Sequence, residues 1–162
     1  MAVDMFLKFD PAIAGSATQK DHKDWIEVLS WSWGEAVPTA GGVGGGGRAG
    51  KVSMQDFSFQ TRTTKASPYL MLNCATGEHF KSVQFDRLRG SGEGLVETTW
   101  KLEDVLISSF QISGSEGAES AESWTLNFSK IGFKFQPIDE RTGKVVGGPI
   151  ETKYDLREQK KV

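Results

Sequence analysis

The run Gly41 to Gly50, reading GGVGGGGRAG and followed by Lys51, is the stretch of this chain that comes nearest to a chemical motif. A phosphate-binding loop needs a glycine, four residues, then Gly-Lys and a hydroxyl residue. Its backbone N–H groups cradle the phosphates, and the hydroxyl ligates magnesium. Gly45 to Lys51 supplies the first seven positions, but the eighth is Val52, which has no hydroxyl. The residues that follow, KVSMQDFSFQT, are strand formers without a helical apolar stripe. No helix N-terminus would therefore face the phosphates. The motif fails twice, and the segment reads instead as a long arm leaving a β domain, the kind of element that docks onto another subunit.

Other reactive side chains are sparse. His22 and His79 are the only histidines and read as exposed loop residues, with no Cys, Asp or Glu at ligand spacing, so no metal site is expected. Cys74 falls on the apolar stripe of a short helix and reads as a small core residue. A Cys-His pair with His79 would lack a third, orienting group. Glu116, Glu119 and Glu122 sit in a run of small residues that reads as a solvated turn. A carboxylate pair for glycoside hydrolysis would need a cleft around them. The tryptophans fall on alternating positions and read as core material. No assembled catalytic set emerges, so neither enzymatic activity nor a cofactor is expected.

The totals narrow the class. A chain of 162 residues with five Trp, ten Phe and two Tyr can bury a core as a single domain, 1–162, with a glycine-rich extension at about 35–50. The formal net charge of −2 gives no reason to expect nucleic acid or an anionic membrane as partner. One cysteine permits no intrachain disulfide, which fits a reducing compartment. The start, MAVDMFLKFD, lacks a basic region followed by an apolar run, and no stretch has the length of a transmembrane helix. The expectation is a chain made in the cytoplasm, without membrane insertion, that leaves the cell, if it does, by a route other than a signal peptide.

The elements that would position these residues are mostly strands. Val3 to Phe9 reads as a strand, and Trp25 to Gly34 as another. In the second, Trp25, Leu29, Trp31 and Trp33 point to the core, while Ser30 and Ser32 point to something wet. Lys51 to Arg62 follows, with a bulge near Gln55 and Asp56. Ser67 to Thr76 is the one helix. Ser67 is its expected N-cap, Pro68 its first position and Gly77 its left-handed stop, and Leu70, Met71, Cys74 and Ala75 form its expected buried stripe. Strands resume at Ser82 to Arg89 and at Leu95 to Ile112, whose apolar face is Val96, Trp100, Leu102, Leu106, Phe110 and Ile112. Trp124 to Gln136 and Ile150 to Leu156 complete the set, with a frayed charged tail. The pattern is mainly β: an antiparallel barrel or two packed sheets with one short capping helix.

Five stretches together then carry a resemblance: MAVDMFLKF at 1–9, WIEVLSWSWG at 25–34, GGGGRAGKVSMQDFSF at 44–59, SPYLMLNCATGEHF at 67–80 and WTLNFSKIGFKFQP at 124–137. They run in order almost end to end. The chain resembles the haemolysin-coregulated protein (Hcp) family, the inner-tube subunits of bacterial type VI secretion systems. The resemblance implies a flattened barrel of two packed sheets, similar to phage tail-tube proteins. It implies homohexameric rings that stack into a tube, with a spike trimer, a contractile sheath and a baseplate as machine partners. It also implies export to the outside without a signal peptide, and effector proteins held and protected in the ring lumen. By the family pattern Ser32, and with it Ser30, lines that lumen. The arm, with Val43, Gly44, Gly45, Gly46, Gly47, Arg48 and Lys51, contacts a neighbouring ring or subunit. The chain leaves no room for a fused toxin domain, so any toxicity would belong to a passenger. The competing reading is a monomeric β-barrel that binds a small apolar ligand, whose mark would be a cavity lined by Trp and Phe. Many large inward aromatics argue against such a cavity.

Overall fold

A computed structural model describes residues 3–39, 50–90 and 94–162. Twelve strands and one helix occur among them. The strands β1 (Val3–Asp10), β2 (Ile26–Glu27), β3 (Ser30–Ser32), β6 (Phe57–Arg62), β7 (His79–Arg89), β8 (Leu95–Ser113), β9 (Ala121–Asn127), β10 (Lys130–Phe135), β11 (Ile150–Asp155) and β12 (Lys160–Lys161) form one antiparallel sheet. β4 (Glu35–Ala36) and β5 (Ser53–Met54) make a small separate ladder at the base of the arm.

The long strand β8 organises the fold. Its first part pairs with β7 and β10, and its last part pairs with β9. One strand therefore belongs to both layers, which pack their apolar faces together around Leu7, Phe57, Phe59, Phe85, Trp124 and Leu126. Each such side chain stabilises by about 1.5–3 kcal/mol when fully buried. The layers do not close into a barrel of continuous ladders. Across the seam, the Val28 N–H donates to the Met5 carbonyl and the Leu29 N–H to the Gln60 carbonyl.

Crossing between layers costs the strands their simple alternation. In β8, Leu102 is buried, and so are Val105 and Ile107, one position out of phase. Asp104 lies between them with φ of 52°, a left-handed turn of the backbone that transfers the apolar face. A second irregularity between Ile107 and Ser109 restores the expected phase at Phe110, which packs against the core, whereas Leu106 is only half-buried and Ile112 is exposed. The expected strand 25–34 divides for the same reason. Ile26 and Val28 are buried, Leu29 is exposed, and the inward phase resumes at Trp31 and Trp33. The segment 124–136 is likewise two strands, with a break where the Ser129 N–H donates to the Glu103 carbonyl. The tail is tied down: β12 pairs with Tyr154 and Asp155, and the Arg157 guanidinium bonds the Asp104 carboxylate.

Helix α1 (Ser67–Thr76) has the expected limits. Gly77, at φ of 68°, ends it, with its N–H donated to the Asn73 carbonyl. Ser67 does not cap it. The capping position is Ala66, without a side-chain bond, and the Ser67 hydroxyl accepts instead from the Thr64 N–H. Only Leu70 of the expected stripe is buried. Cys74 is half-buried, and Met71 and Ala75 face solvent.

Candidate functional site

Ser30 and Ser32 stand on the solvent side of β3, as their alternation with Trp31 requires. Register then places polar partners beside them. Ser32 is opposite Ser58, which is opposite Thr125, which is opposite Ser109. Ser30 is opposite Gln60, then Ser123, then Gln111. Two parallel rows of four hydroxyl or amide side chains thus cross β3, β6, β9 and β8. The Ser30 hydroxyl donates to Gln60 Oε1 at 2.9 Å, and the Ser109 and Thr125 hydroxyls lie 2.6 Å apart. The rows line a shallow depression of about 310 Å³. None of the eight side chains is charged. Charges at the borders are held by neighbours: Asp56 accepts from Ser108 at 2.6 Å and from Asn127 at 3.0 Å, and Arg62 pairs with Glu119 at 3.0 Å.

On the inner side of the same strands lie Trp31, Phe57, Phe59 and Trp124. The Phe57 and Phe59 rings stack at 5.0 Å. Strand alternation marks Ser30 and Ser32 as outward but does not join them to Ser58, Gln60, Ser123 and Thr125. Polar residues alternate with aromatics in all three strands, and that was the available signal. Which strands lie side by side was not.

A second surface sits at the base of the arm. Val43, Gly44, Gly45, Gly46, Gly47 and Arg48 lie outside the described residues. Lys51 is exposed on the rim of a groove of about 860 Å³. Its floor is Trp33, Met54, Trp100 and Phe133, and the Trp100 and Phe133 rings stack at 4.1 Å. Lys153, Lys161 and Glu35 share the rim with Lys51. The structure does not bring Lys51 together with Ser30 and Ser32. They belong to different surfaces.

Two sequence expectations need correction here. His22 is not an exposed loop residue. It is buried, bonds Asp86 Oδ2 at 2.8 Å through Nε2 and Gln19 at 2.6 Å through Nδ1, and stacks on Phe6. Asp86 also accepts from Thr99 at 3.0 Å. This network ties the loop after β1 to β7 and offers no nucleophile. His79 is exposed at the start of β7, 3.0 Å from Asp104. Asp104 also accepts from Ser129 at 2.9 Å. The acid stands in the middle of this Ser–Asp–His set, so the imidazole does not touch the serine and cannot take its proton. Bonding from His79, then from Ser129, holds the Asp104 carboxyl below its usual range.

Glu122 is the second correction. It belongs to β9 on the inward side and is 1% exposed, not part of a solvated turn. Its carboxylate oxygens have no partner in hydrogen-bond geometry among the described residues. Burial pushes its carboxyl above the usual glutamate range, against the opposing pull of the Ser67 and Thr61 hydroxyls. No group of three or more metal-ligating side chains occurs among the described residues.

Similarity to known proteins covers almost the whole chain. Residues 6–135 match the family described as "Type VI secretion system effector, Hcp". The chain is 38% identical over 160 residues to Protein hcp1 of Pseudomonas aeruginosa, spanning 98% of each. A solved type six secretion system protein superposes with a TM-score of 0.92 at 27% identity, over 99% of this chain and all of that one. Hcp1 from Salmonella typhimurium superposes with a TM-score of 0.80 at 28% identity, over 99% of this chain and 100% of that one. These matches run through both surfaces and every layer of the sheet, and the chain belongs to the Hcp family of type VI secretion proteins.

Proposed function

We propose that this chain is an inner-tube subunit: six copies close into a ring, rings stack into a tube, and the neutral face of Ser30 and Ser32 lines the lumen. The observation that carries this reading is the pair of uncharged polar rows over an aromatic layer. A hydroxyl and amide surface is well hydrated without fixing counter-ions. It gains little by burial, so it suits the wall of a water-filled channel that a protein passes through or rests in. Effectors are held there by hydrogen bonds. The arm at 43–48, with Lys51 at its base, contacts the adjoining ring. The spike, sheath and baseplate are the partners that export the tube, and no cofactor takes part.

Negative-stain electron microscopy of the untagged protein at micromolar concentration tests the reading. Six-fold rings with a stained centre are expected. A chain with residues 43–48 replaced by a short turn should still form rings but stack them poorly.

One observation favours a second reading, a small-ligand binding barrel. The groove has the Trp and Phe lining and, at about 860 Å³, the size of a ligand pocket. Small featureless particles persisting at high concentration would support that alternative.

A further inference from the structure

We infer that the outer face of helix α1 seats in the aromatic groove of a second copy of this chain; the inference rests on the ring-forming reading and names one of its contacts. The helix, SPYLMLNCAT, has no charged residue. Leu70 turns inward, while Tyr69, Met71 and Leu72 are 60%, 56% and 52% exposed. A helix that lies against its own sheet ordinarily shows solvent a charged face. Here solvent meets a tyrosine, a methionine and a leucine, which is apolar surface left without a partner.

The groove complements this face in shape and charge. Val37 and Phe133 remain 44% and 38% exposed around it. A ten-residue helix is about 15 Å long and 10 Å wide, so half of it displaces about 600 Å³. The groove holds about 860 Å³, room for one helix face with its side chains. Three lysines, Lys51, Lys153 and Lys161, stand on the rim against one glutamate, Glu35. The C-terminal end of a helix is its negative end. In α1 no basic residue lies in the last turn, and Glu78 stands just past the Gly77 cap. Lys51, Lys161 and Glu78 form no ion pair among the described residues.

The two surfaces cannot meet within one chain. β7 begins at His79, beside the helix, and reaches the groove where Phe85 pairs with Trp100. Six residues of strand separate them by about 20 Å. Two different complementary surfaces on one molecule make a heterologous, head-to-tail contact, which closes a ring when the rotation allows. Because both halves occur on this chain, the occupant is a second copy of it.

A cysteine pair tests the contact. In a Cys74→Ser background, Leu72→Cys combined with Val37→Cys should give, on oxidation, a disulfide-linked ladder beyond the dimer that neither single variant gives. Separately, Leu72→Lys and Tyr69→Lys alter exposed positions. They should leave circular dichroism and Tm near wild type while weakening ring formation at least tenfold by sedimentation or native mass spectrometry. Rings that persist in both lysine variants, with no ladder in the cysteine pair, would overturn the contact and leave the tube reading standing. Wild-type protein that stays monomeric at every concentration would overturn both. Tryptophan quenching by decanoate, with rings indifferent to Leu72→Lys, would assign the groove to a small ligand and overturn the contact as well.

Discussion

The neutral face and the aromatic groove are both solvent-exposed regions of this fold, yet they expose opposite chemistry. On β3, β6 and β9 the aromatics point inward and serine, threonine and glutamine point out. On β10 the apolar side instead continues beyond the packed core: Ile131 is buried, but Phe133 and Phe135 are both 38% exposed. The difference lies in what stands opposite. The first layer faces the other sheet along its length. The far end of β10 and β11 has only the short β4–β5 ladder before it. Alternation supplies one apolar side to every strand, but only a second layer of equal length buries it. A face that is complete by itself suits water, and an incomplete one calls for a partner.

Variants can break this comparison. The largest effect should come from beneath the polar rows. Trp124 is 1% exposed, and its indole N–H donates to the Thr61 hydroxyl at 3.0 Å. Trp124→Ala should cost about 3–5 kcal/mol in urea unfolding. A loss below about 0.5 kcal/mol, the range of surface changes, would mean that the polar face does not depend on the aromatic layer under it.

Glu122, two residues earlier on the same inward side, should give the next effect, and it depends on pH. Its folded pKa lies above the ordinary 4.5. The folded state therefore binds its proton more tightly, and that contribution is complete below pH 4.5 and lost as pH rises through the folded value. Glu122→Gln should remove this decline and gain stability relative to wild type towards neutral pH. Equal slopes in the two proteins would refute the burial argument. Asp104, Asp139 and Asp155 work in the opposite sense. Their pKa values are held below 3.8 by hydrogen bonds, so their contribution is present above that value and fades as pH falls. Chemical denaturation across a pH series separates the two signs.

The smallest effect on stability belongs to the polar rows themselves. Ser32→Gln should shift unfolding by no more than about 0.5 kcal/mol. On the proposed reading it should nevertheless alter how much effector co-purifies with the rings. Unchanged cargo with intact rings would remove Ser32 from the lumen.

Whatever is decided within a few residues is legible in the amino-acid order alone. Pro68 and Gly77 bracket the helix because a missing N–H is harmless at its start and a left-handed residue is wanted at its end. The outward position of Ser30 and Ser32 follows from the two-residue period of a strand. The five stretches that resemble the Hcp family were legible for another reason: together they fix a residue pattern over most of the chain. Tertiary structure decided the rest. The apolar phase shifts at Asp104 and between Val28 and Trp31 because those segments pass from one layer to the other, and alternation does not record a change of layer. His22 and Glu122 are buried through residues far along the chain, Asp86 for one and Ser67 and Thr61 for the other. The four-strand polar rows and the aromatic groove exist only once register sets strands side by side. Sequence period tells which way a side chain points, and packing alone tells what it meets.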